Sequence, residues 1–547
     1  MKKMKRVIVG LIAMINCFSV VGCSSPVQST TDGTKSQIKV TVWQGGYRKN
    51  WADNWATKFE QAYEGKSLEE GKTGVEVEVL YSSANTGVIN VGTRDEDIIF
   101  SEQSKYFENI KAGELFDITE WVTTPLTEYG ETRSIAQKMS KENQVYYGQS
   151  ETNPQYFALP WYMAFSAINY DIDLFNERAL YFTPDGEIGA KLSEARSNGP
   201  DGLPNTSDDG LPATFDEFFE LCDYLAGISI TPVIWSGKNQ QYMNGMFNSI
   251  VADIEGYDNM NMNYQLTGNA TDLIDMSRID EGVFYKEATS IGLQNGHLTR
   301  TQKGYYYAYD FLNRLINTKN TQGGAKYLAS ACSDKNVSHT GAQQAYLTSC
   351  LEGKRIAMLI DSTWWYNEAN DIFAAMEGQS LGKNDRRFGV MPIPKIDENH
   401  LGPQTTVSAW PTTVYVNKKI GSSRENLIRT FFRFIHSDES LVSYTKDSSA
   451  IRPFTVEMPE GIQLPNYTWE QLDLQNNNRI VMPYSTNNIM KNYSYALNIS
   501  EVFSTIISGK TYTTVSDIAF DNVSTKNFMK GFYNYYSTNW SGWYQEV

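Results

Sequence analysis

Histidine and cysteine are scarce in this chain, and their scarcity argues against several kinds of catalysis. The 547 residues include four histidines, no two of which lie three or four positions apart. The body of the chain has three cysteines, Cys222, Cys332 and Cys350, without the spacing of a zinc site or a disulfide framework. Metal-dependent hydrolysis and Ser-His-Asp chemistry are therefore not expected. Cys332 and Cys350 could pair outside the cell, and three free thiols are an equally open alternative.

Long hydrophobic runs are also lacking, except at the start of the chain. Behind the basic residues Lys2 to Arg6, the segment from Val7 to Val21 is predominantly apolar. This segment is too short to span a bilayer comfortably and is typical of a signal-peptide core. No later segment reaches the roughly 18 uncharged apolar residues that a membrane-spanning helix needs. The sequence therefore predicts no transmembrane helix beyond the first residues.

The apolar segment closes with Val20-Val21-Gly22-Cys23, which resembles the cleavage site of a bacterial lipoprotein signal. We predict a signal peptide over residues 1–22 and a lipidated Cys23, carrying palmitate-type acyl chains. Residues 23–36 are polar and without apolar periodicity, which is typical of a flexible tether. The protein would thus be anchored at the extracellular face of the cell membrane. An ordinary secretory signal with an incidental cysteine is the alternative.

Positive charge is in deficit, and the deficit limits the possible partners. The chain has 47 Lys and Arg against 63 Asp and Glu, for a formal net charge of −16. This balance argues against nucleic acid or an anionic surface as a partner. The chain is also far too long for one hydrophobic core, so two or more lobes are expected. We expect a monomer.

Aromatic residues, in contrast, are abundant, with 34 Tyr, 12 Trp and 25 Phe. Many of these side chains must lie in the core. Tryptophan beside polar amides is also suited to sugar binding, because the C–H face of a pyranose packs on an indole while amides and carboxylates bind its hydroxyls. The composition therefore favours a carbohydrate ligand.

The first hundred residues have the pattern of an open α/β sheet. Ile38, Val40 and Val42 alternate with polar residues, as do the valines at 75, 77 and 79, and residues 97–100 form a short apolar run. An amphipathic helix over residues 51–63 separates the first two strands. Ligands bind such sheets at the carboxyl ends of the strands. Residues 43–47, directly after the first strand, are thus a natural binding loop.

Later segments add a series of pieces in a characteristic order. These are Leu159-Pro160-Trp161 leading to Asn169-Tyr170-Asp171, residues 352–358 leading to Ser362-Thr363-Trp364-Trp365, the strand-like run 388–394, and an amphipathic helix over 425–436. Together with the lipoprotein-like start, the series resembles an extracellular solute-binding protein of a carbohydrate ABC transporter, related in plan to maltose-binding protein. The resemblance covers nearly the whole chain, which is longer than a typical member in the regions 183–212 and 240–350.

The resemblance implies an α/β, two-lobed, periplasmic-binding-protein-like fold with hinge crossovers (type II-like). The crossovers would lie near residues 160, 362 and 436. The N-terminal lobe would comprise 37–160 and 363–436, and the C-terminal lobe 161–362 and 437–547. An oligosaccharide would bind in the cleft, the lobes would close on it, and closure would signal ABC permease subunits in the membrane. The chain would not be an enzyme, and we predict no catalytic residue.

The resemblance also implies where the ligand binds. Ligand-binding positions would lie after the first strand, at the first crossover and in the turn after residue 361. Two further tryptophans are candidates from their surroundings, because Trp235 precedes a polar run and Trp410 precedes a proline. The full predicted ligand-binding set is Trp43, Gln44, Tyr47, Trp161, Tyr162, Trp235, Trp364, Trp365 and Trp410.

One loop has the residue types of a calcium site. Residues 201–210, Asp-Gly-Leu-Pro-Asn-Thr-Ser-Asp-Asp-Gly, combine closely spaced oxygen ligands with glycines, although not with EF-hand spacing. The candidate ligands are Asp201, Asn205, Ser207, Asp208 and Asp209. A Ca²⁺ ion here would be structural, and a plain solvated turn is the alternative. We predict no other cofactor.

Two other functions remain open from the sequence. A secreted glycoside hydrolase also needs stacking aromatics, together with two carboxylates about 5–10 Å apart. A peptide- or polyamine-binding protein is the other alternative. A polyamine site would need several carboxylates in the cleft, whereas the candidate loops are richer in Trp, Gln and Asn.

Overall fold

A computed structural model of the protein describes residues 33–43, 46–82, 91–102, 105–409, 411–500 and 503–545. The predicted signal peptide 1–22, the lipidation site Cys23 and most of the predicted tether lie outside the described residues. Ser36, the last residue of the predicted tether, is the first residue of a strand. Within the described ranges, no helix combines the length and apolar character needed to cross a membrane.

Seventeen strands are present in the described residues. In chain order they are β1 (Ser36–Trp43), β2 (Val75–Ser82), β3 (Ile98–Glu102), β4 (Ala158–Leu159), β5 (Ser166–Asp171), β6 (Tyr181–Phe182), β7 (Ile188–Ala190), β8 (Thr231–Ile234), β9 (Gly268–Ala270), β10 (Thr289–Ile291), β11 (Ile356–Ser362), β12 (Phe388–Met391), β13 (Thr405–Val407), β14 (Thr412–Val416), β15 (Arg479–Val481), β16 (Thr505–Ile507) and β17 (Lys510–Tyr512).

Seventeen α-helices accompany them in the same part of the chain. These are α1 (Asn50–Ala62), α2 (Tyr106–Ala112), α3 (Thr119–Thr123), α4 (Lys141–Gly148), α5 (Ile172–Arg178), α6 (Phe215–Gly227), α7 (Gln241–Gln265), α8 (Lys303–Asn317), α9 (His339–Glu352), α10 (Trp365–Glu368), α11 (Asn370–Met376), α12 (Glu425–Phe434), α13 (Asp438–Ser448), α14 (Asn466–Asn477), α15 (Asn488–Leu497), α16 (Val515–Phe520) and α17 (Thr525–Gln545).

The first lobe is built on a five-stranded sheet with the order β2-β1-β3-β14-β4. β1 runs parallel to β2 and β3, and β14 runs antiparallel to β3 and β4. The predicted alternation in β1 is confirmed, because Ile38, Val40 and Val42 are all buried. On this sheet α1 packs its aromatic stripe, Trp51, Trp55 and Phe59. The carboxyl ends of β1, β2 and β3 therefore lie together at one edge.

The second lobe is built on a four-stranded sheet with the order β12-β5-β11-β8. β11 runs parallel to β8 and antiparallel to β5, and β12 pairs antiparallel with β5. β11 is buried along its whole length, as the apolar run over residues 356–360 predicts for most of the strand. The two sheets confirm the predicted two-lobed α/β architecture.

Three crossovers connect the lobes, and two of them lie later in the chain than predicted. The first, between β4 and β5, lies at residues 160–165 as expected. Because β12 belongs to the second sheet and β14 to the first, the chain returns to the first lobe between residues 392 and 411, not near 362. α13 packs on α1, where the Trp55 indole donates to the Ser440 carbonyl, so the last crossover follows residue 448, not 436.

The crossovers lie side by side. Met163 and Ile451 form an isolated antiparallel bridge, and Phe165 does the same with Ser408. The Ala409 amide also donates to the Ala164 carbonyl at 2.8 Å. The three connections thus form one narrow hinge between the lobes.

The second lobe carries a large helical addition, which accounts for much of the extra length. α7 packs against α8, and α17 packs against α8 and β16. Aromatic rings join these helices, including Phe528 stacked on Tyr309 with ring centroids 4.1 Å apart. α7 bends at Gly256, whose φ of 71° is a left-handed conformation that favours glycine.

Candidate functional site

The loop after β1 and the first crossover form one wall of the cleft between the lobes. Trp43 ends β1 and is partly buried, whereas Tyr47 is only 3% exposed. The Tyr47 ring lies 4.6 Å from the Tyr162 ring and 6.2 Å from the edge-on Trp161 ring, centroid to centroid. Residues from two separate segments of the first lobe thus form a single aromatic surface.

Glu102 lies on the same wall, because β3 ends beside β1. The Tyr162 hydroxyl donates a hydrogen bond to Glu102 Oε1 at 2.7 Å. Burial raises the pKa of the Glu102 carboxyl to about 7, although the Tyr162 hydroxyl and the Trp43 indole act in the opposite direction. The charge of Glu368, from the other lobe, raises this pKa further. Glu102 therefore faces the second lobe.

The opposite wall follows the carboxyl end of β11. Asp361 lies in this strand, Trp364 follows it, and Glu368 ends the short helix α10. Gln343, on α9, donates from Nε2 to Asp361 Oδ2 at 3.1 Å and to Glu368 Oε2 at 2.7 Å. His339 Nε2 lies 3.6 Å from Glu368 Oε1. One amide thus holds two carboxylates side by side.

The two carboxylates of this wall are shifted in the same direction. Burial raises the pKa of Asp361 well above its usual value, and the neighbouring charge of Glu368 adds to the shift. Burial also raises the pKa of Glu368, against the opposing effects of His339 and Gln343. The site therefore concentrates acidic groups whose charged forms are costly.

The two walls touch each other at Gly46. A Cβ at this position would lie 2.9 Å from the Trp364 Cβ and 3.0 Å from the Glu368 Cγ. Nearby, Arg48 of the first lobe and Asp371 of the second form an ion pair with 2.8 Å between Nη2 and Oδ2. The backbone approach at Gly46 requires a residue without a side chain, and the lobes are in contact across the cleft.

Two hollows flank the hinge. A cavity of about 80 Å³ lies beside Trp364 and Tyr242, with Ser362, Ser408 and Ala409 among its lining residues. A larger groove of about 1130 Å³ is lined by Met163 and the exposed Trp469. Tyr162 faces Glu102 and its neighbour Met163 faces this groove, because successive residues of extended chain point to opposite sides. The larger groove therefore lies behind the hinge, away from the cleft.

The structure brings together four of the nine predicted ligand-binding residues. Trp43, Tyr47 and Tyr162 lie on the first wall and Trp364 on the second. Trp161 lies directly behind them, with its indole donating to the Ser101 carbonyl at 2.9 Å and stacked on an aromatic ring of α1. Trp161 is thus placed to support the site and not to line it.

The other predicted residues lie elsewhere. Trp365 is fully buried among Tyr346, Phe388 and Tyr467 in the core of the second lobe. Trp235 is also fully buried, and its indole donates to Gln240 Oε1 at 3.1 Å. The structure does not bring either residue to the cleft, because the side chains of both point into the core of the second lobe. Gln44 and Trp410 lie outside the described residues.

Sequence analysis missed the acidic character of the site. Glu102 and Asp361 lie at or beside the carboxyl ends of strands, a position that could have identified them. Glu368, Gln343 and Tyr242 lie on helices, and only their tertiary positions bring them to the cleft. The Tyr242 hydroxyl lies close enough to Asp361 and Glu368 that their charges add to the effect of burial in raising its pKa.

The predicted calcium loop is closed by its own hydrogen bonds. The Thr206 hydroxyl lies 2.6 Å from Asp208 Oδ1, 3.2 Å from Asp209 Oδ1 and 3.5 Å from Asp201 Oδ1. The backbone amide of Asn205 donates to Asp209 Oδ2 at 2.9 Å. The Ser207 hydroxyl instead donates to Asp473 Oδ2 of helix α14 at 3.0 Å. Across the described ranges, no three His, Cys, Asp or Glu side chains are grouped to hold a metal ion.

The three cysteines of the described chain are free. Cys222 and Cys332 are buried, and Cys350 is half-buried. Burial raises the pKa of the Cys332 thiol to about 12, so this group is inert. The pairing of Cys332 with Cys350, one of the two alternatives from the sequence, is not present.

No family model matches the sequence, and no curated protein sequence matches it. Many solved structures do match its fold. A chitin oligosaccharide binding protein is 12% identical, with a TM-score of 0.54 over 93% of this chain and 100% of that protein. BlMnBP1, an ABC-transporter binding protein of Bifidobacterium animalis subsp. lactis in complex with mannobiose, is 14% identical, with a TM-score of 0.53 over 94% of this chain and 95% of that one.

A third similar structure is RafE, a binding protein in complex with raffinose. It is 15% identical, with a TM-score of 0.50 over 91% of this chain and 100% of RafE. At such identities the similarity establishes the architecture. The chain therefore has the same two-lobed, periplasmic-binding-protein-like fold as these structures.

Proposed function

We propose that this chain is the substrate-binding protein of an ABC importer, and that it captures an oligosaccharide in the interlobe cleft. The single observation that carries the proposal is a group of aromatic rings and polar groups that meet from both lobes at the carboxyl ends of strands. This interlobe cluster consists of Trp43, Tyr47, Glu102 and Tyr162 on the first wall and Gln343, Asp361, Trp364 and Glu368 on the second. Closure of the lobes about the hinge would bury the sugar. The closed form would then be the one that permease subunits bind, and no bond of the ligand is broken.

The residues of the cluster suit this role chemically. Trp43, Tyr47 and Trp364 offer ring faces for the apolar side of a pyranose. Gln343 and the neighbouring carboxylates offer acceptors for sugar hydroxyls, and tyrosine hydroxyls offer donors. A site with groups on both walls binds most tightly when the lobes are closed, which couples binding to closure.

The proposal is tested by a thermal-shift screen with defined oligosaccharides, including chitin oligosaccharides, mannobiose and raffinose. A ligand that binds the folded state raises its stability by mass action, by about 2.7 kcal/mol at a concentration of 100 Kd. Trp364→Ala should abolish the shift. Trp469→Ala is the matched control, because that exposed tryptophan borders the groove behind the hinge. Equal loss of binding in both variants, or no shift with any sugar, would refute the proposal.

Both walls of the cleft carry carboxylates, and hydrolysis of a glycosidic bond needs two of them. Glycoside hydrolase activity is therefore the second function to test. We expect no product from chromogenic glycosides or from any oligosaccharide that binds. Turnover that is lost in Glu102→Gln would instead identify an enzyme.

We further propose that the protein is a monomer anchored through a lipid on Cys23 at the outer face of the cell membrane. The support is the sequence pattern before Cys23 and the polar segment after it. Cys23→Ala should move the protein from the membrane fraction to the medium or the soluble fraction. Unchanged membrane association would refute the anchor.

We also propose, from residue types alone, that Ca²⁺ stabilises the loop 201–210. The support is the closely spaced run of Asp, Asn and Ser side chains, which are oxygen ligands of the kind that Ca²⁺ prefers. A chelator should lower the thermal midpoint without abolishing sugar binding. An unchanged midpoint in a protein that contains no bound metal would leave the loop a plain turn.

A further inference from the structure

The interlobe cluster holds three carboxylates, one from the first lobe and two from the second. Glu102 is held by the Tyr162 hydroxyl, and Asp361 and Glu368 share the Gln343 amide. Glu368 lies at the contact between the walls, with its Cγ 3.0 Å from the Cβ position of Gly46, and its charge adds to the effect of burial in raising the pKa of Glu102. Closing the lobes therefore brings like charges together in a poorly hydrated place.

The chain supplies almost no positive charge to balance them. Within the described ranges, neither lysine nor arginine forms an ion pair with any of the three, whereas His339 Nε2 lies 3.6 Å from Glu368 Oε1. Arg48, the nearest arginine across the contact, is paired with Asp371. The undescribed internal segments, residues 44–45, 83–90, 103–104, 410 and 501–502, contain no lysine or arginine in their sequence. When they are ionised, the three carboxylates therefore give the site a net negative charge that no described lysine or arginine neutralises through an ion pair.

Two polar atoms in the same place have no partner. Tyr47 is 3% exposed, and among the described residues its hydroxyl has no hydrogen-bond partner, although burial and the charges of Glu102 and Glu368 raise its pKa. Gln343 is fully buried, and its Oε1 also lacks a partner while its Nε2 holds both carboxylates. Buried polar groups are nearly always hydrogen-bonded, so the two unpartnered atoms beside the acidic cluster offer positions at which a ligand could complete the site.

We propose that the ligand of the cleft is an amino sugar or an oligosaccharide that contains one, with a protonated amine bound among Glu102, Asp361 and Glu368. This inference rests on the proposed function, and it names the chemical class of the sugar. An ammonium group has three donors and one positive charge, which matches a set of carboxylates with an amide acceptor beside them.

A neutral sugar fits this set less well. Its hydroxyls can donate to one carboxylate or another, but they bring no positive charge, so the carboxyls must either stay charged without a counter-charge or take up protons when the lobes close. An uncompensated buried charge costs several kcal/mol, whereas a charge-assisted hydrogen bond is about twice as strong as a neutral one. The amine would therefore bind in preference to a hydroxyl at the same ring position.

The test compares three oligosaccharide series with the same backbone and different groups at C2: an amine (chitosan oligosaccharides), an acetamide (chitin oligosaccharides) and a hydroxyl (cello-oligosaccharides). Titration calorimetry on the full-length mature protein measures each affinity. We expect the amine member to bind at least about tenfold more tightly than either of the others, one charge-assisted contact being enough for this. Equal or tighter binding of the hydroxyl or acetamide member would overturn the inference.

The outcomes separate the inference from the proposed function. Binding of neutral members without the amine would overturn the inference and leave sugar capture intact. Failure of every carbohydrate would overturn both. Spermidine is a further probe, since it carries ammonium groups without a sugar ring. Binding of spermidine as tightly as the amine oligosaccharide would overturn the assignment to a sugar.

A variant localises the effect. Glu368→Gln keeps the shape of the side chain and should reduce the preference for amine over hydroxyl by tenfold or more. Glu377→Gln is the matched control, because it removes the same charge from an exposed position of the same lobe. Thermal unfolding of both variants verifies that they fold. An amine preference that is unchanged in Glu368→Gln, or reduced equally in both variants, would overturn the inference.

Discussion

Trp364 and Trp365 are adjacent in the sequence, yet they belong to different parts of the molecule. Trp364 contacts Gly46 across the cleft and borders a small cavity. Trp365 begins the helix α10, turns inward and is enclosed by three aromatic rings. The start of a helix directs successive side chains about 100° apart, so one faces the cleft and the other the core.

We predict that truncation of the two tryptophans has different effects on stability and on ligand binding. Trp365→Ala should lower the free energy of unfolding by about 3–5 kcal/mol, because a fully buried ring leaves a cavity. Trp364→Ala should cost less stability, because Trp364 is 7% exposed and borders a small cavity, and it should also weaken ligand binding. Denaturant unfolding and titration on the same preparations measure both effects. Similar losses of stability in the two variants would contradict the assignment.

Tyr47 gives a second prediction at the residue scale. Because its buried hydroxyl has no partner in the part of the chain that the structure describes, Tyr47→Phe should leave the unliganded protein as stable as the wild type or raise its free energy of unfolding by about 1–3 kcal/mol. The same change should weaken ligand binding, since the hydroxyl is then missing from the liganded site. Thermal unfolding with and without ligand measures this. A destabilised unliganded variant would show that the hydroxyl already has a structural role.

Among the elements, α7 is tied to the crossover that returns the chain to the first lobe. Lys395, in that crossover, donates to Asp253 Oδ1 of α7 at 2.7 Å, and both side chains are buried. The Thr405 amide donates to the same carboxylate. The ion pair therefore fixes the position of the crossover on the second lobe.

We predict that Asp253→Asn lowers the free energy of unfolding by about 3–5 kcal/mol, because it leaves a buried lysine without its counter-charge. The control is Asp216→Asn, whose pair with Arg314 is exposed and should contribute less than about 1 kcal/mol. Chemical denaturation measures both variants. Equal effects of the two substitutions would contradict the prediction.

A buried carboxyl connects α7 to α8. Glu255 precedes the bend at Gly256 and accepts a hydrogen bond from the Gly304 amide at 2.7 Å. Burial raises its pKa to about 7. The folded protein therefore binds more protons than the unfolded chain between about pH 4.5 and 7, and this group makes the protein less stable as pH rises through that range.

We predict that Glu255→Gln gains stability relative to the wild type as pH rises from about 4.5 to 7, by on the order of 2–3 kcal/mol, because glutamine resembles the protonated carboxyl and does not titrate. Thermal unfolding across this range measures the difference. The exposed Glu287→Gln is the control and should show no such trend. A constant difference between Glu255→Gln and the wild type would contradict the prediction.

The sequence predicted elements better than it predicted their partners. The strands at 38–42, 356–361 and 388–394 were each recognised from local apolar patterns. The pairing of β12 with β5, however, depends on residues more than two hundred positions away, so the pattern could not place β12 in the second lobe. In the same way, the packing of α13 on α1 has no local signal, and residues 437–448 were assigned to the wrong lobe.

The candidate site was predicted in part, for a similar reason. Trp43, Tyr47, Tyr162 and Trp364 follow strands or the first crossover, and position in the chain was enough to find them. Trp235 and Trp365 follow strands as well, but their side chains point into the core, a direction that the sequence does not specify. Gln343 and Glu368 lie on helices, so only the packing of those helices could reveal them.

At the scale of the whole molecule, each lobe is assembled from separated parts of the chain. β14 lies between β3 and β4 in the first sheet, although it follows the entire second sheet in sequence. The Trp161 amide, for example, donates to the Thr412 hydroxyl, 251 positions away. The first lobe therefore cannot complete its sheet from its N-terminal residues alone.

We predict that a chain ended at residue 411 does not form a native first lobe, because β3 and β4 lose the strand between them and α1 loses α13. Near-ultraviolet circular dichroism and thermal unfolding should show no cooperative transition of that lobe. The full chain is the control. A cooperative transition in the fragment at the midpoint of the full chain would contradict the prediction.

Because β14 lies late in the sequence, the first sheet can be completed only late during synthesis. At about 5–20 residues per second, the ribosome adds the 251 positions between Trp161 and Thr412 in roughly 10–50 s. Throughout this interval β3 has an open edge, and the nascent chain has no stable native lobe to collapse into. A protein whose first sheet is completed this late stays unfolded in its first lobe for most of its translation. A secretion channel that accepts only unfolded polypeptide could bind the nascent chain during this interval.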